Sequence, residues 1–360
     1  MQDGVFLTKK FNGKKIDVCG KRVRDYINAE TEKEICDILV DWAEDYSSDE
    51  LTARWRGNSR EYKVHISKFP DFSREMVFET QNEYFSLGFL TPCITYYYKI
   101  TDWDGNASET DSFNIKGDIR LIALAGFVNA RDLGGYKTID GKKVKYGFLY
   151  RGANPNQEFD EKTVKTALHI KTELDLRSSG RDDGGQTGTR FGKDVSYVKI
   201  NMPGSGYCFI LPDFNQKQPY ERRFIESSLN SVKEIFTLLA DEKNYPIFFH
   251  CNCGADRTGT LAFLINGFLG VNEKGLLQDF ELTSFSLFGN RWRSQIENGK
   301  FTDSGVMEDD LNNYVAFGKT CRMVMKYSKT GTLQNAIENY LLLCGVDIAD
   351  LNKIKNILTE

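Results

Sequence analysis

The segment from residue 246 to residue 269 constrains this chain more than any other part of its sequence. The short apolar run Pro246 to His250 is typical of a buried parallel strand, and the apolar residues from Thr258 to Leu269 are typical of a buried helix. Only residues 251–257 separate the two. A strand, a tight loop and a helix in this order predict an α/β arrangement, with the loop at the start of the helix.

The loop between them carries the residue types of a phosphate site. Backbone N–H groups of residues 251–257 are expected to converge at the positive end of the helix dipole, where they bind a tetrahedral dianion. Gly254 and Gly259 allow the sharp turn and a close approach of the backbone to the ligand. Arg257 supplies a planar fork for two phosphate oxygens. The same field favours the thiolate of Cys251, so the loop predicts attack of sulfur on phosphorus and a phosphocysteine that water hydrolyses.

The other residues of the loop are expected to assist this chemistry. We expect His250 to fix the shape of the loop and to stabilise the thiolate through a hydrogen bond. The hydroxyl of Thr258 can donate a hydrogen bond to the sulfur and ease its departure. The remaining phosphate-binding residues are predicted to be Asn252, Cys253, Gly254, Ala255 and Gly259.

The loop and a second segment together resemble a known superfamily. The pattern His250-Cys251-x5-Arg257-Thr258-Gly259 resembles the signature of the cysteine-dependent protein tyrosine phosphatases, and its ending Asp256 to Gly259 is similar to their bacterial tyrosine/serine phosphatase branch. The segment 129–136 (NARDLGGY) resembles the opening segment of that branch. The resemblance covers nearly all of residues 119–360. It implies a phosphatase domain with a phosphocysteine intermediate and no cofactor.

The resemblance leaves the general acid open between two aspartates. In the bacterial branch the aspartate of the loop, here Asp256, is the proposed proton donor to the leaving group. The wider superfamily uses an aspartate on a mobile upstream loop, and residues 211–214 (LPDF) resemble that loop and carry Asp213. We expect Asp256 to be the general acid.

Four further positions bear on the substrate or leave their roles open. Ala255 stands where the branch usually has a lysine that is associated with phosphoinositide substrates, which argues against highly charged inositol lipids. Cys253 is either a small buried residue or a redox partner of Cys251. Arg131 and Asp132 either support the site or belong to a structural turn marked by the following Gly-Gly pair.

The first third of the chain has a different pattern. Thr31 and Glu34 form a capping box that predicts a helix over about residues 31–45. Five short β-branched or aromatic segments follow between residues 51 and 115, separated by Gly, Asn, Pro and Asp. Trp55, Tyr62, the run 90–92 (LTP) and the run 96–98 (YYY) resemble a fibronectin type III domain over about residues 48–117. The resemblance implies a docking module.

We therefore predict two domains. Residues 1–118 form an N-terminal region with a short helix and the smaller all-β sandwich. Residues 119–360 form an α/β catalytic domain with a central, mostly parallel sheet flanked by helices.

Charge and composition restrict the partners. The formal net charge of −4 offers no basic field for nucleic acid. No apolar run is long enough to span a membrane, and three scattered histidines give no metal-ligand spacing, so we expect a soluble protein without metal. The sequence is compatible with a cytoplasmic protein and with a secreted one whose signal peptide has been removed.

The predicted function is hydrolysis of phosphotyrosine, with phosphoserine and phosphothreonine as further substrates in a dual-specificity enzyme. The predicted partner is thus a phosphorylated protein or a small phosphomonoester. Two alternatives remain: a phosphatase of inositol phosphates or phosphoinositides, and a catalytically idle phosphate-binding module. A rhodanese-like sulfurtransferase is disfavoured by the Arg-Thr-Gly sequence that ends the loop.

Overall fold

The C-terminal part of the chain is built on a five-stranded sheet. The computed structural model describes residues 4–40, 44–155, 158–203, 222–287, 296–297, 300–301 and 314–360. The N-terminal part contains β1 (Phe6–Lys9), β2 (Lys15–Ile16), β3 (Thr52–Arg56), β4 (Tyr62–Ser67), β5 (Met76–Thr80), β6 (Tyr84–Ser86), β7 (Thr95–Asp102) and β8 (Asp111–Ile115). The strands of the five-stranded sheet are β9 (Arg131–Asp132), β10 (Leu149–Gly152), β11 (Thr172–Asp175), β12 (Ser196–Lys199) and β13 (Ile247–His250).

The order of the strands in this sheet is β12-β11-β13-β10-β9. β13 pairs in parallel with both β10 and β11, and β12 is parallel to β11, whereas β9 runs antiparallel to β10. All four residues of β13 are buried, as expected for the apolar central strand of a sheet covered on both faces. The carboxyl ends of β10, β11 and β13 therefore meet at one edge, where α/β proteins bind ligands.

Helices surround the sheet. α5 begins directly after the loop that follows β13, and its residues from Thr258 to Leu269 are all buried, because a helix that is apolar all round packs in a core. The helices of the chain are α1 (Lys21–Asn28), α2 (Glu32–Val40), α3 (Glu161–Leu168), α4 (Arg222–Leu239), α5 (Asp256–Leu269), α6 (Glu273–Glu281), α7 (Tyr314–Met325), α8 (Leu333–Leu343) and α9 (Ile348–Leu358). A two-stranded ribbon, β14 (Ile296–Glu297) and β15 (Lys300–Phe301), precedes α7.

The N-terminal strands form two sheets. One has the order β1-β3-β6 and the other the order β2-β8-β7-β4-β5. Alternate residues of β7 are buried, which is the pattern of a sheet with one face against a core. In that core the rings of Trp55 and Tyr62 meet edge to face at 5.6 Å between centroids. The five strands predicted between residues 51 and 115 are all present.

The capping box predicted at Thr31 is confirmed. Glu34 N donates to Thr31 Oγ1 (3.2 Å), and Thr31 N donates to Glu34 Oε2 (2.9 Å). The described part of this helix runs to Val40, and residues 44–46 are not helical, so the helix ends before the predicted residue 45. Asp45 N donates instead to Phe285 O, and Tyr46 O accepts from Gly20 N, so residues 45 and 46 pair outside a helix.

The apolar core crosses from the N-terminal part into the C-terminal part. One cluster of buried side chains contains Trp55 and Tyr98 together with Tyr150 and Phe248 of the five-stranded sheet. A buried hydrogen bond from Tyr26 Oη to Glu281 Oε2 (2.6 Å) also joins the two parts. In the described ranges, no helix has the length and apolarity needed to cross a bilayer.

Candidate active site

The loop after β13 places Cys251 at the edge where the parallel strands end. Cys251 is 3% exposed and follows His250 directly. Gly254 has φ +66°, and a Cβ there would lie 2.3 Å from the carbonyl carbon of Gly152 at the end of β10. Only glycine meets both conditions, so this position holds the loop against the sheet.

Carbonyl groups of the loop are tied to the protein behind it. Asn129 Nδ2 donates to Cys253 O (3.0 Å) and to Gly254 O (3.2 Å), and Arg151 Nη2 donates to Gly254 O (2.5 Å). In a planar trans peptide the N–H points away from the C=O. The N–H groups of Gly254 and Ala255 therefore point away from Asn129 and Arg151. Backbone amides arranged in this way form a cradle that can accept an anion.

A buried ion cluster supports Asn129 and Arg151. Arg131 Nε donates to Asp279 Oδ1 (2.8 Å), Arg131 Nη1 donates to Asn129 Oδ1 (2.7 Å), and Arg151 Nη1 binds Asp279 Oδ2. Burial acts to raise the pKa of Asp279, but the charges of Arg131 and Arg151 outweigh it and lower the pKa. The cluster holds the loop in place through groups that lie behind it.

The adjacent residues Arg131 and Asp132 thus have different roles in the structure. Arg131 is 1% exposed and reaches the loop only through Asn129 and Asp279. Asp132 accepts from Arg120 Nη1 (3.0 Å), Gly134 N (2.8 Å) and Gly147 N (2.7 Å), so it fixes the turn that the Gly-Gly pair marks.

His250 has an acidic partner that the sequence reasoning missed. His250 Nε2 lies 3.0 Å from Glu173 Oε1, and His250 Nδ1 lies 3.2 Å from Cys251 O. Both side chains are fully buried. Burial acts to raise the pKa of Glu173, but the hydrogen bond and charge of His250 and the hydroxyl of Thr189 lower it. The signal in the sequence was a carboxylate inside a strand otherwise suited to burial, since such a group needs a partner.

Arg257 also has an acidic partner, Asp182, which lies in the loop after β11. Arg257 Nη1 donates to Asp182 Oδ2 (2.5 Å) and Arg257 Nη2 donates to Asp182 Oδ1 (3.3 Å). Asn252 Nδ2 donates to the same Oδ1 (2.6 Å). No sequence pattern pairs Asp182 with Arg257. The contact arises because β11 lies beside β13 in the sheet, so that the loops following the two strands meet.

The remaining predicted residues lie in or beside the cradle. Cys253 is partly exposed and Ala255 is buried, and Asp256 is the first, partly buried residue of α5. Thr258 is fully buried, and its hydroxyl has no hydrogen-bond partner within the described ranges, so the expected bond to the sulfur is not formed. Gly259 differs from the prediction, because its N–H already donates to Ala255 O (3.0 Å) within the helix.

The expectations about the second candidate acid and about metal remain. Asp213, the second candidate acid, and the segment 211–214 lie outside the described residues. Across the parts of the chain that are described, no group of three or more His, Cys, Asp and Glu side chains is arranged to hold a metal ion.

A cysteine at the end of a central strand, a loop of backbone amides and an arginine in the first turn of the following helix form the arrangement expected of a phosphatase with a cysteine nucleophile. The comparison with known families agrees with this class. The chain belongs to the tyrosine phosphatase family, whose model matches residues 122–360.

Two curated proteins illustrate the relationship. A Cupriavidus necator protein named as a tyrosine-protein phosphatase is 28% identical over 177 residues, which cover 44% of this chain and 61% of the relative. A tyrosine-protein phosphatase of Nostoc commune is 24% identical over 137 residues, which cover 36% of this chain and 45% of the relative. The matches thus span 61% and 45% of the lengths of these two relatives.

Among solved structures, the chain is similar to the core catalytic domain of the PP-IP phosphatase Siw14 from S. cerevisiae, solved in complex with citrate. That likeness has 18% identity and a TM-score of 0.28, and it covers 46% of this chain and 79% of the other. A second structure of the Siw14 catalytic core gives 17% identity and a TM-score of 0.29, with the same coverage.

Proposed function

We propose that this chain is a protein phosphatase that hydrolyses phosphotyrosine, and also phosphoserine and phosphothreonine, through a phosphocysteine on Cys251. The observation that carries the proposal is the fixed cradle. Two carbonyls of the loop are bound from behind by Asn129 and Arg151, which leaves the adjoining N–H groups for a phosphate. Preorganised donors of this kind stabilise the charge that develops in phosphoryl transfer.

The proposed reaction has two displacements on phosphorus. The thiolate of Cys251 forms an S–P bond while the ester P–O bond breaks, and Asp256 gives its proton to the leaving oxygen. Water then attacks phosphorus, Asp256 takes a proton from it, and the S–P bond breaks to return the thiolate and free phosphate. Arg257 holds two equatorial oxygens in both steps. Thr258 is the donor that we assign to the departing sulfur, since its buried hydroxyl has no partner in the described ranges.

Hydrolysis of para-nitrophenyl phosphate in EDTA tests the proposed mechanism. We expect wild-type turnover that is lost in Cys251→Ser, because serine at this position is not ionised. A phosphorylated enzyme trapped by acid quench would identify the intermediate. If the reduced wild-type enzyme shows no turnover, the chain is the phosphate-binding module instead.

The choice between the two candidate acids has its own test. We expect Asp256→Asn to remove the basic limb of the pH–rate profile, because that limb reports the loss of the proton from the general acid. Asp213→Asn is the matched variant. A lost basic limb in Asp213→Asn, with an intact one in Asp256→Asn, would transfer the role to Asp213.

We further propose that residues 48–117 are a fibronectin type III-like docking module. The two sheets, antiparallel apart from the β2–β8 pair, and the buried pair of Trp55 and Tyr62 support this assignment. Deletion of a loop of this module is expected to lower activity on a protein substrate and to leave para-nitrophenyl phosphate turnover unchanged.

A further inference from the structure

Asp182 lies at the phosphate site and is firmly held there. Its Oδ2 accepts from Ser178 N (2.9 Å) and Ser178 Oγ (3.1 Å), which anchor it within its own loop. The same carboxylate receives Arg257 Nη1, Arg257 Nη2 and Asn252 Nδ2. Five donors thus converge on one partly exposed carboxylate, two of them from the arginine expected to bind phosphate.

The charge of Asp182 is permanent at any working pH. Burial acts to raise the pKa of Asp182, but the hydrogen bond from Arg257 and those from Ser178 outweigh it and hold the pKa far below its usual range. The site arginine is therefore already paired with one negative charge. A phosphate that binds here is attracted mainly by the amides of the loop and by the start of α5.

Two of the nearby cations have partners of their own. Arg177 binds Asp175 through two bonds (2.9 and 2.8 Å), and Lys199 is paired with Asp183. Arg181 is exposed on the same loop as Asp182. The loop residue Ala255 adds no positive charge. A second phosphate beside the reacting one would thus lie close to the fixed charge of Asp182.

We propose that Asp182 is a specificity-determining residue that selects substrates with a single phosphate over substrates with a second phosphate next to the reacting one. The inference rests on the proposed function and deepens it by naming the substrate class. The amide cradle still binds one phosphate dianion beside Asp182. The carboxylate of Asp182 repels any additional negative charge at the edge of the site. Removing its charge relaxes this selection.

The expected size of the effect follows from Coulomb's law. At a separation of about 8 Å and an effective dielectric constant of about 40, each added negative charge weakens binding about fivefold. A phosphoserine carries nearly two charges, and salt screens part of the repulsion. We therefore expect about a tenfold preference for the singly phosphorylated substrate.

The test compares two peptides that differ by one phosphate group. One carries a single phosphotyrosine, and the other has the same sequence with a phosphoserine next to the phosphotyrosine. We expect wild-type kcat/KM to be about tenfold higher for the first peptide. In Asp182→Asn the ratio should fall to within about twofold, whatever the overall loss of activity. An equal loss on both peptides, with the ratio retained, would show a purely structural role and overturn the proposal.

Asp183→Asn is the matched control. It removes one charge from the neighbouring position, but Asp183 binds Lys199, Gly180 N and Gly185 N and not Arg257. This variant should keep most of the wild-type preference. A ratio that relaxes equally in both variants would assign the effect to general surface charge.

A binding measurement separates this inference from the proposed function. Inorganic phosphate and pyrophosphate are titrated calorimetrically into Cys251→Ser, with and without Asp182→Asn. The double variant should gain about fivefold or more in affinity for pyrophosphate relative to phosphate. An unchanged ratio overturns the inference even if the wild-type enzyme turns over, whereas a raised ratio supports it even if no turnover is found.

Discussion

Glu173 and His250, the residue before Cys251, form a buried hydrogen-bonded pair that ties three segments together. Glu173 also accepts from Thr189 Oγ1 (2.7 Å) and Arg190 N (2.8 Å), so the carboxylate joins β11, β13 and the loop that leads to β12. A buried carboxylate with several donors is stabilising only while all of them are present.

We predict that Glu173→Gln lowers the free energy of unfolding by about 3 kcal/mol at pH 7, because it replaces a buried carboxylate that is hydrogen-bonded to His250, Thr189 and Arg190. The folded-state pKa of Glu173 is lowered, so its contribution is complete above the unfolded value of about 4.3 and is lost as the pH falls below that value. Urea denaturation at pH 7 and pH 3.5 tests this. The gap between wild type and variant should narrow at the lower pH, and a constant gap would contradict the assigned charge.

Gly254 is the residue whose replacement should harm the site most directly. We predict that Gly254→Ala lowers kcat/KM by at least about a hundredfold, because the Cβ would collide with Gly152 and displace the loop donors. Gly141→Ala is the control: Gly141 has φ +85° but open space around a Cβ. That variant should show only a backbone cost of about 1 kcal/mol and normal turnover.

At the scale of elements, the loop after β13 depends on residues from three separate segments. Asn129 precedes β9, Arg151 lies in β10, and Asp279 lies in α6. None of them is adjacent in sequence to the loop, yet together they bind its carbonyls or each other.

We predict that Asp279→Asn lowers the free energy of unfolding by about 3–5 kcal/mol, because it leaves Arg131 and Arg151 facing each other without a full countercharge. The loop should loosen as well, so kcat should fall in the fraction that stays folded. The control Asp194→Asn removes an exposed carboxylate paired with Lys165 and should leave thermal unfolding unchanged. Equal stability of the two variants would refute a supporting role for the cluster.

The sequence predicts the elements that local pattern determines. The apolar run before Cys251, the buried helix after it, the capping box at Thr31 and the short strands between residues 51 and 115 each follow from composition and spacing over a few residues. Glu173, Asp182 and Asp279 could not be assigned in the same way. Their partners lie 70 to 148 positions away in the pairs His250–Glu173 (77), Asn252–Asp182 (70), Arg257–Asp182 (75), Arg131–Asp279 (148) and Arg151–Asp279 (128). Such contacts follow from strand order and register.

At the scale of the whole molecule, one apolar cluster joins both parts of the chain. It includes Trp55 and Phe113 from the N-terminal sheets, and Phe248 and Leu282 from the C-terminal part. A polar contact also joins the two parts: Tyr46 Oη donates to Ala130 O (3.1 Å).

We predict that the chain unfolds in a single cooperative transition, because separating the two parts would expose a shared core. Scanning calorimetry should give equal calorimetric and van't Hoff enthalpies. A fragment that begins at residue 119 should fail to fold or should bind a hydrophobic dye strongly. Two resolved transitions, or a well-folded fragment, would show independent domains.

The contact of Tyr46 has a consequence for how such a chain can evolve. Arg131 Nη1 donates to Tyr46 Oη (3.4 Å), so the residue that braces the phosphate loop also touches the N-terminal part. Recombination near residue 118 would place a different N-terminal part against a surface that fits the present one. We therefore expect that the N-terminal part is not exchanged freely between proteins. The two parts should be inherited together, and substitutions in one should be matched by substitutions in the other.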